Sequence, residues 1–474
     1  MKILITILKF IFSLVELVLR IFYEGIFGGQ HSETIEGGYN AHFISENELI
    51  SSSHQGIAIA GNKFLDRLSS FKNAIIFGAT GSGKSTINLI PSILHIDNAT
   101  ILVHDPSSEL YLLTAEAKRK QGFQVYAINY GSLHSHAYNP LYYCETISDI
   151  NKVSTALVRN SVKTQGDNFW EIQSINLLSI IISILKTQDK LYQNLTNVRY
   201  LISNLGSNPE LIDNLFSKYA QPALMTEYKN FIAYDQKVVA SIIASAQAAT
   251  QLFLDENVQK LTSIHQIDFE RIHSEKSIIY VQNISSDIHY YKPLVSLIFE
   301  QLFRHLSMKL PDKKKHLDVF FLIDEASNLV LPTLPNFLSV NRKFRVSVCL
   351  TYQNYSQISN FYGKDNADTI FSNCLTKCFY AGGSLQDTTM LESILGRREI
   401  VDEEGKKAIV PLLTAENIRT MDSSFNITVH ANLKPILVKC LPWFENFWMK
   451  RKIEESTPPL NPYLPEEIPL LPLQ

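Results

Sequence analysis

The stretch GATGSGKST, residues 78–86, decides the fold of this chain. It follows the apolar run Ala74–Phe77, and a segment with apolar residues at helical spacing comes after it. Residues Gly78 to Ser85 fit the pattern G-x-x-x-x-G-K-[ST], whose glycines let a loop between a strand and a helix turn its N–H groups toward phosphate. We therefore predict a P-loop that binds a nucleoside triphosphate.

The side chains of this loop have distinct predicted roles. Lys84 is expected to contact the β- and γ-phosphates of ATP, and Ser85 is expected to hold Mg²⁺. The predicted nucleotide-binding residues are Gly78, Ala79, Thr80, Gly81, Ser82, Gly83, Lys84, Ser85 and Thr86. The alternative is a glycine-rich turn that fits the pattern by chance, and the strand before the loop and the helix after it argue against that interpretation.

A second predicted strand ends in two acidic residues. The continuous apolar run Val319–Ile323 leads directly into Asp324 and Glu325, which is typical of a Walker B strand. Asp324 is placed to hold Mg²⁺ through water, and Glu325 is placed to activate the attacking water as a general base. The alternative is an acidic pair that caps the start of a helix. The P-loop elsewhere in the chain favours the Mg²⁺ site.

Two more polar residues are candidates for catalysis. The predicted strand VSVCLT (346–351) leads to Gln353, whose amide is placed to orient the attacking water or to sense the γ-phosphate. Arg342, eleven residues before Gln353, is a candidate to stabilise charge on the triphosphate of a neighbouring subunit. A solvated surface arginine is the alternative for Arg342. The predicted catalytic residues are thus Lys84, Glu325, Gln353 and Arg342.

The composition indicates a globular protein with more than one domain. The chain has 474 residues, of which 45% are hydrophobic and 19% are charged, and this excludes a disordered chain. A net charge of −3 gives no overall basic field, so any contact with nucleic acid must be local. The five cysteines form no C-x-x-C pair, which favours reduced thiols, with Cys374 and Cys378 as core residues and not metal ligands.

The order of elements predicts an α/β fold with a mostly parallel sheet and an inserted helical domain. Strand and helix patterns alternate over residues 40–145 and 265–445, which together form the predicted nucleotide-binding domain. Residues 146–264 show only helical spacing, so we predict an inserted all-helical domain there. The apolar segment Ile175–Leu185 is too short to span a bilayer and is predicted to be a buried core helix.

The two ends of the chain have distinctive compositions. Residues 1–27 are apolar, but Lys9, Glu16 and Arg20 fall on one helical face, which predicts an amphipathic membrane helix that either spans the bilayer or lies in its interface. Because a P-loop needs ATP, the chain after residue 30 is expected on the cytoplasmic side of the inner membrane. Residues 455–474 contain six prolines and predict an extended polyproline-like tail, for which a disordered end is favoured over a docking segment.

The order and spacing of these segments resemble the type IV coupling proteins, the TraG/TraD-like ATPases of conjugative DNA transfer. The resemblance covers roughly residues 70–440. The matching segments are the P-loop, HDPSSEL (104–110), YNPL (138–141), FFLIDEASNL (320–329), TYQNYSQI (351–358), SNCLTKCFYAGGSLQDTTMLESILG (372–396) and PLLTAENIRTM (411–421). Apart from the P-loop, no single segment is specific, but the whole set in this order is.

The resemblance implies a fold, a site and partners. It implies a RecA-like core, with Lys84 and Ser85 binding Mg-ATP, the acidic pair at Asp324 and Glu325, and Gln353 after the next strand. It also implies that Arg342 acts on the site of the neighbouring subunit in a homo-hexamer on the inner membrane. The partners implied are relaxase-bound single-stranded DNA and the components of a type IV secretion channel.

The chain departs from the family pattern in three places, of which the proline-rich tail is one, and two other functions stay open. Many relatives have Lys-Gly after Asp-Pro, where this chain has Ser107-Ser108. Relatives commonly have two membrane spans around a small periplasmic domain, whereas here one apolar segment is followed by soluble sequence. One alternative function is a receptor ATPase that selects protein effectors for type IV secretion. The other is a double-stranded DNA translocase of the FtsK/HerA kind, which shares the core.

Overall fold

The structure is a computed structural model that describes residues 39–51, 55–161, 168–282, 288–312, 315–401 and 405–474. The membrane helix predicted for residues 1–27 lies outside these described residues. The described chain divides into two compact units. The smaller unit contains residues 39–41 and 396–412, and the larger unit contains the rest.

The described residues of both units contain strands, and those predicted at residues 74–77, 319–323 and 346–351 are among them. In chain order the strands are β1 (Ala74–Phe77), β2 (Ala99–Asp105), β3 (Gln124–Asn129), β4 (Ser277–Gln282), β5 (Asp318–Ile323), β6 (Val346–Tyr352), β7 (Thr376–Tyr380), β8 (Arg397–Val401), β9 (Lys407–Pro411), β10 (Phe425–His430) and β11 (Ile436–Lys439). In the smaller unit, β8 and β9 form an antiparallel pair. The other nine strands form one sheet in the larger unit, in the order β11-β10-β7-β1-β6-β5-β2-β4-β3.

The sheet is parallel from β7 to β3 and ends in two antiparallel strands. β1 pairs in parallel with both β6 and β7, and β5 pairs in parallel with β2 and β6. At the other end, β10 runs antiparallel to β7, and β11 runs antiparallel to β10. Strands β1, β2, β4, β5 and β6 are buried along their whole length, because helices cover both faces of a parallel sheet. The predicted α/β fold is confirmed.

The helices lie before, between and after these strands. They are α1 (Arg67–Ser70), α2 (Ile90–His95), α3 (Glu109–Lys120), α4 (Ile147–Ser161), α5 (Asn168–Leu185), α6 (Leu195–Ser207), α7 (Pro209–Tyr219), α8 (Pro222–Ile232), α9 (Gln236–Ala249), α10 (Glu256–Ser263), α11 (Ile288–Met308), α12 (Leu334–Val340), α13 (Tyr355–Tyr362), α14 (Lys364–Asn373), α15 (Leu385–Leu395), α16 (Ala415–Thr420) and α17 (Phe447–Lys452). A π-helical turn, Lys84–Leu89, leads into α2.

The described residues between β3 and β4 form no strand and contain the seven helices α4 to α10, joined by turns and loops. Helix α5 is long and apolar enough to cross a membrane by length and composition. Its second half is nevertheless buried against α4, α6 and α9, with Leu177, Leu178 and Ile181 fully enclosed. The prediction of a buried core helix is therefore confirmed. The segment belongs to the same compact unit as the sheet, so its status as a separate domain stays a prediction.

The proline-rich tail is held against the rest of the larger unit, so the prediction of a disordered end is wrong. Near its start, Ser456 N–H donates to Leu112 O of α3 at 2.9 Å. Near its end, the side chain of Asn197 on α6 donates to Pro469 O at 3.1 Å and accepts from Leu471 N–H at 2.8 Å. Proline lacks a backbone donor, but its carbonyl still accepts, so these contacts with polar side chains order an extended segment.

All five cysteines are buried and none forms a disulfide. Cys374 and Cys378 lie in the core, as predicted, and Cys378 packs in the apolar cluster under the sheet. Burial raises the pKa of both thiols to about 12, so neither is a thiolate at neutral pH. They act as small apolar side chains.

A buried carboxylate at the start of β5 predicts a large loss of stability on mutation. Asp318, only 2% exposed, accepts hydrogen bonds from Arg67 and Arg345, each at 2.6 Å. Asp318→Ala leaves two partly buried guanidinium groups without their shared anion, so we expect the free energy of unfolding to fall by about 3 kcal/mol in urea titrations. Glu116→Ala removes an exposed ion pair with Arg119 and should cost less than about 1 kcal/mol. Equal losses in the two variants would contradict this account.

Candidate nucleotide-binding site

The sheet order brings three predicted site segments to one edge. Strands β1, β6, β5 and β2 are parallel neighbours, so their carboxyl ends all lie at the same edge of the sheet. The P-loop follows β1, Gln353 follows β6, and Asp324 and Glu325 follow β5. Because β6 lies between the P-loop strand and the Walker B strand, its carboxyl end is the central position of this edge.

The P-loop adopts the backbone that its glycines permit. Gly81 has a φ of 79° and Gly83 a φ of 93°, in the left-handed region that side chains disfavour. A Cβ at Gly83 would also lie 2.5 Å from the Ile87 side chain. Residue Gly83 then caps the helical turn that begins at Lys84, so the helix N-terminus and the loop amides face the same space. This arrangement fits a phosphate group.

Lys84 is folded back onto the loop. Its side chain is buried, and Nζ donates to Gly78 O at 2.6 Å and to Ala79 O at 3.1 Å. Burial lowers the pKa of Lys84, while the nearby carboxylates of Asp324 and Glu325 oppose that shift. A phosphate would offer the ammonium an anionic acceptor in exchange for two neutral carbonyls, and the attraction between opposite charges favours that exchange.

Ser85 and Asp324, the predicted Mg²⁺ ligands, are in direct contact. Ser85 Oγ donates to Asp324 Oδ2 at 2.8 Å, which joins the P-loop helix to the end of β5. Asp324 is buried, and its other oxygen, Oδ1, accepts from Thr351 Oγ1 at 2.7 Å. A hydroxyl and a carboxylate are hard oxygen ligands of the kind that Mg²⁺ prefers, so the two residues fit this ion.

Thr351, on β6, was not among the predicted site residues. Its hydroxyl donates to Asp324 Oδ1 and also accepts from the Glu325 N–H at 2.9 Å, so it fixes both acidic residues. The only sign in the sequence is its position as the last polar residue of a buried strand, two residues before Gln353. Its role becomes evident only when β6 is seen to lie beside β5.

Glu325 has an unusual backbone conformation. Its φ is 44°, a left-handed value that is unfavourable for any residue with a side chain. Hydrogen bonds from its N–H to Thr351 and Asp324 hold the backbone in this conformation. The carboxylate is exposed and accepts from Asn328 Nδ2 at 2.8 Å. Glu325 makes no side-chain capping bond to the described turn that follows. This disfavours the helix-cap alternative.

Gln353 lies beside the P-loop. It is half-buried and lines a small recess together with Gly78 and Tyr380. Its backbone N–H donates to Gln357 Oε1 at 2.8 Å, which fixes the start of α13 beneath it. The structure thus places Gln353 at the same edge as Lys84 and Asp324, as the order of the strands requires.

Arg342 lies away from this edge. It is exposed on a 3₁₀ turn, Asn341–Phe344, that comes immediately before β6. Gly78 follows the last residue of β1, and β1 and β6 are parallel, so Arg342 and the P-loop lie at opposite edges of the sheet. Arg342 is therefore not part of the site in its own chain. A catalytic role would have to be in the site of a second copy, and a solvated surface arginine is equally compatible with this position.

Two buried ionisable groups lie at the end of β2: His104 contacts the Walker B strand, and Asp105 caps α3. His104 Nδ1 lies 2.6 Å from the backbone oxygen of Asp324, and burial lowers the pKa of His104 to about 4, so the ring is neutral and donates. Asp105 accepts from Tyr111 N–H at 2.8 Å, and burial raises the pKa of Asp105 to about 7. The sequence contained both in HDPSSEL, without roles.

The Ser107-Ser108 departure has a visible backbone consequence. Ser108 has a φ of 62°, a left-handed value, at the position where many relatives have glycine. Glycine adopts this conformation without steric cost, whereas serine does not. Ser108 therefore carries backbone strain that a glycine would not.

Comparisons with known proteins agree with this geometry. A family model described as "Type IV secretory system Conjugative DNA transfer" matches residues 39–464. The protein VirD4 of Rhizobium rhizogenes is 19% identical over 406 residues, which are 81% of this chain and 60% of VirD4. The chain thus spans about three fifths of the length of that relative.

Solved structures share the fold. The bacterial conjugative coupling protein TrwBdeltaN70, in complex with sulphate, superposes with a TM-score of 0.70 at 15% identity, covering 87% of this chain and 96% of that protein. The plasmid coupling protein TrwB in complex with ADP and Mg²⁺ gives a TM-score of 0.68 at 15% identity, covering 87% and 97%. The predicted RecA-like core is confirmed at the level of the fold.

Proposed function

The chain belongs to the family of type IV secretory system conjugative DNA transfer proteins, and from this premise we propose that it is a type IV coupling protein. In this proposal it is a membrane-tethered homo-hexameric ATPase. It recruits relaxase-bound single-stranded DNA and delivers it to a type IV secretion channel. The N-terminal helix predicted for residues 1–27 attaches it to the inner membrane, with the rest of the chain on the cytoplasmic side.

The observation that carries the proposal is the contact of Ser85, Asp324 and Thr351 at one sheet edge. The first contact joins the P-loop helix directly to the end of β5, and the second joins the end of β5 to β6. Gln353 follows the same strand, β6, by two residues from Thr351. Ser85 would exchange its hydrogen bond to Asp324 for a bound Mg²⁺ ion, so nucleotide binding would act directly on the Walker B carboxylate.

Each predicted residue has a task that its position suits. Lys84 exchanges the carbonyls of Gly78 and Ala79 for the β- and γ-phosphates. Mg²⁺, when bound by Ser85 and Asp324, supplies charge to the phosphates. Glu325 accepts a proton from the attacking water, and Gln353 orients that water.

Glu325→Gln separates binding from hydrolysis. We expect the variant to bind ATP with unchanged affinity but to hydrolyse it at least about 10²-fold more slowly, because the amide cannot accept the proton from water. Fluorescent-nucleotide titration and phosphate release measure the two properties. The matched control is Glu116→Gln, on α3, which should hydrolyse ATP at the normal rate. Unchanged hydrolysis in Glu325→Gln would remove this residue from the mechanism.

The substrate is tested by the turnover of ATP in the full chain reconstituted in vesicles. We expect single-stranded DNA to stimulate phosphate release and Lys84→Ala to abolish the stimulated rate. Stimulation by duplex DNA alone, with displacement activity on duplex substrates, would favour an FtsK/HerA-like translocase. No stimulation by either form of DNA would reject the DNA motor. Selective retention of secreted proteins by residues 146–264 would then favour an effector receptor.

A further inference from the structure

Helix α17 and the turn before it present an aromatic and basic surface. Phe444, Phe447 and Trp448 are 48%, 63% and 69% exposed. Three consecutive cations follow, and all are exposed: Lys450, Arg451 and Lys452. Within α17, Arg451 follows Phe447 by four residues and Trp448 by three, which places the three side chains on one helical face, and Phe444 lies on the 3₁₀ turn before the helix. We call these six side chains the aromatic–basic face.

This face is a fixed surface of the fold. Asn446 Oδ1 accepts from the N–H groups of Trp448 and Met449, at 3.0 and 3.1 Å, and so caps α17. Met449, on the opposite side of the helix, is 1% exposed and packs in the apolar cluster under the sheet. Ile453, one turn later, packs partly against the same cluster. Because α17 is anchored on one side, its large aromatic residues have no core left to enter.

The cations of the face lack acidic partners among the described residues. Arg451 lies 5.5 Å from the centre of the Phe447 ring, so it extends over the aromatic part of the face. The described ion pairs include none that involves Lys450, Arg451 or Lys452. The nearby Glu454 pairs instead with Lys120 of α3 at 2.5 Å. The six side chains of the face carry three positive charges, and the exposed Glu445 and Glu455 flank them in sequence.

We propose that the aromatic–basic face docks on the anionic headgroups of a lipid bilayer. Tryptophan and phenylalanine beside lysine and arginine are the combination that enters the headgroup region, since the rings reach the acyl boundary while the cations meet lipid phosphate. Three cations in a row favour a surface of uniform negative charge, because a protein partner would have to place an acid opposite each one.

The chain path lets this face reach the membrane. The inference rests on the proposed attachment of residues 1–27 to the bilayer. Sixteen residues, 28–43, follow that segment and span at most about 55 Å when fully extended. Ile44 N–H then donates to Pro435 O at 3.0 Å, at the start of β11. The chain from Pro435 to Trp443, which directly precedes the face, is eight residues long and spans at most about 28 Å when fully extended. These chain lengths allow the membrane attachment and the face to contact the same bilayer.

Quenching of tryptophan fluorescence by brominated lipids tests this docking. The full chain, whose tryptophans are Trp170, Trp443 and Trp448, is reconstituted in brominated vesicles of phosphatidylcholine alone or with phosphatidylglycerol. We expect quenching in the anionic vesicles, loss of that quenching in Trp448→Phe, and much weaker quenching when Lys450, Arg451 and Lys452 are all changed to Glu. The matched control changes the exposed Lys218, Lys229 and Lys237 to Glu and should be quenched as the original chain is.

The outcomes separate the face from the membrane helix. ATP turnover shows that each variant is folded, because none of these side chains is in the nucleotide site. If the chain floats with vesicles but Trp448→Phe leaves the quenching unchanged, the face does not contact lipid and the proposal is overturned, while the N-terminal attachment stands. Equal quenching in neutral and anionic vesicles overturns the role of the cations. If the chain does not float at all, both the attachment and the docking are rejected.

Discussion

Lys84→Ala should lower kcat/KM for ATP hydrolysis by about 10³-fold or more. The buried ammonium lies against the P-loop carbonyls of Gly78 and Ala79, in position to transfer to the phosphates. Alanine removes both the charge and the donors, and no other described lysine or arginine lies in the P-loop segment 78–86 to replace them. Phosphate release under steady-state conditions measures the effect.

The control for this variant is a lysine outside the site. Lys364, exposed at the start of α14, has the same side chain, and Lys364→Ala should hydrolyse ATP at the normal rate. Thermal unfolding of both variants shows whether the fold is kept, since the loop geometry comes from its glycines and not from Lys84. A folded Lys84→Ala chain with normal hydrolysis would show that the P-loop is not the site of turnover.

Arg342→Ala should lower kcat by about 10³-fold without weakening ATP binding. The residue lies at the sheet edge opposite the P-loop, so its effect must come from the site of a neighbouring copy. Lys343→Ala is the matched control, because Lys343 is the next residue on the same turn and is equally exposed. If both variants hydrolyse ATP normally, Arg342 is a solvated surface residue.

Mixing two inactive variants distinguishes a role in a neighbouring copy from a structural role. Arg342→Ala chains have an intact P-loop, and Lys84→Ala chains have an intact Arg342. In a ring assembled from equal amounts of both, roughly a quarter of the interfaces combine the two intact residues, so about a quarter of the activity should return. No recovery in co-assembled rings would contradict the proposed action between subunits.

The sequence predicted the parts of the site that depend on neighbouring residues in the chain. The P-loop and the Walker B pair each follow a continuous apolar strand, so local pattern alone located Lys84, Ser85, Asp324 and Glu325. Thr351 was missed because its contacts depend on the position of β6 between two strands that are distant in the sequence. Side chains that act across strands become visible only when the order of the sheet is known.

The prediction of a disordered tail was wrong because it rested on local composition alone. Six prolines indicate a segment without helix or strand, and this is what the structure contains. Order, however, depends on partners elsewhere in the chain, and Asn197, Gln266 and Ser135 supply them. Asn461 Nδ2, for example, donates to Ser135 O at 2.7 Å. Nothing in the local composition of the tail indicates these contacts, which come from the helical segment and from the loop after β3.

The frequency of plasmid transfer tests the central claim most directly. Donor cells whose own copy of this gene is deleted receive either the original chain, Lys84→Ala or Lys364→Ala, and the transfer of a mobilisable plasmid to recipients is counted. The account predicts normal transfer with the original chain and with Lys364→Ala, and loss of transfer with Lys84→Ala at equal protein level. Normal transfer with Lys84→Ala, or no dependence on the chain at all, would contradict it.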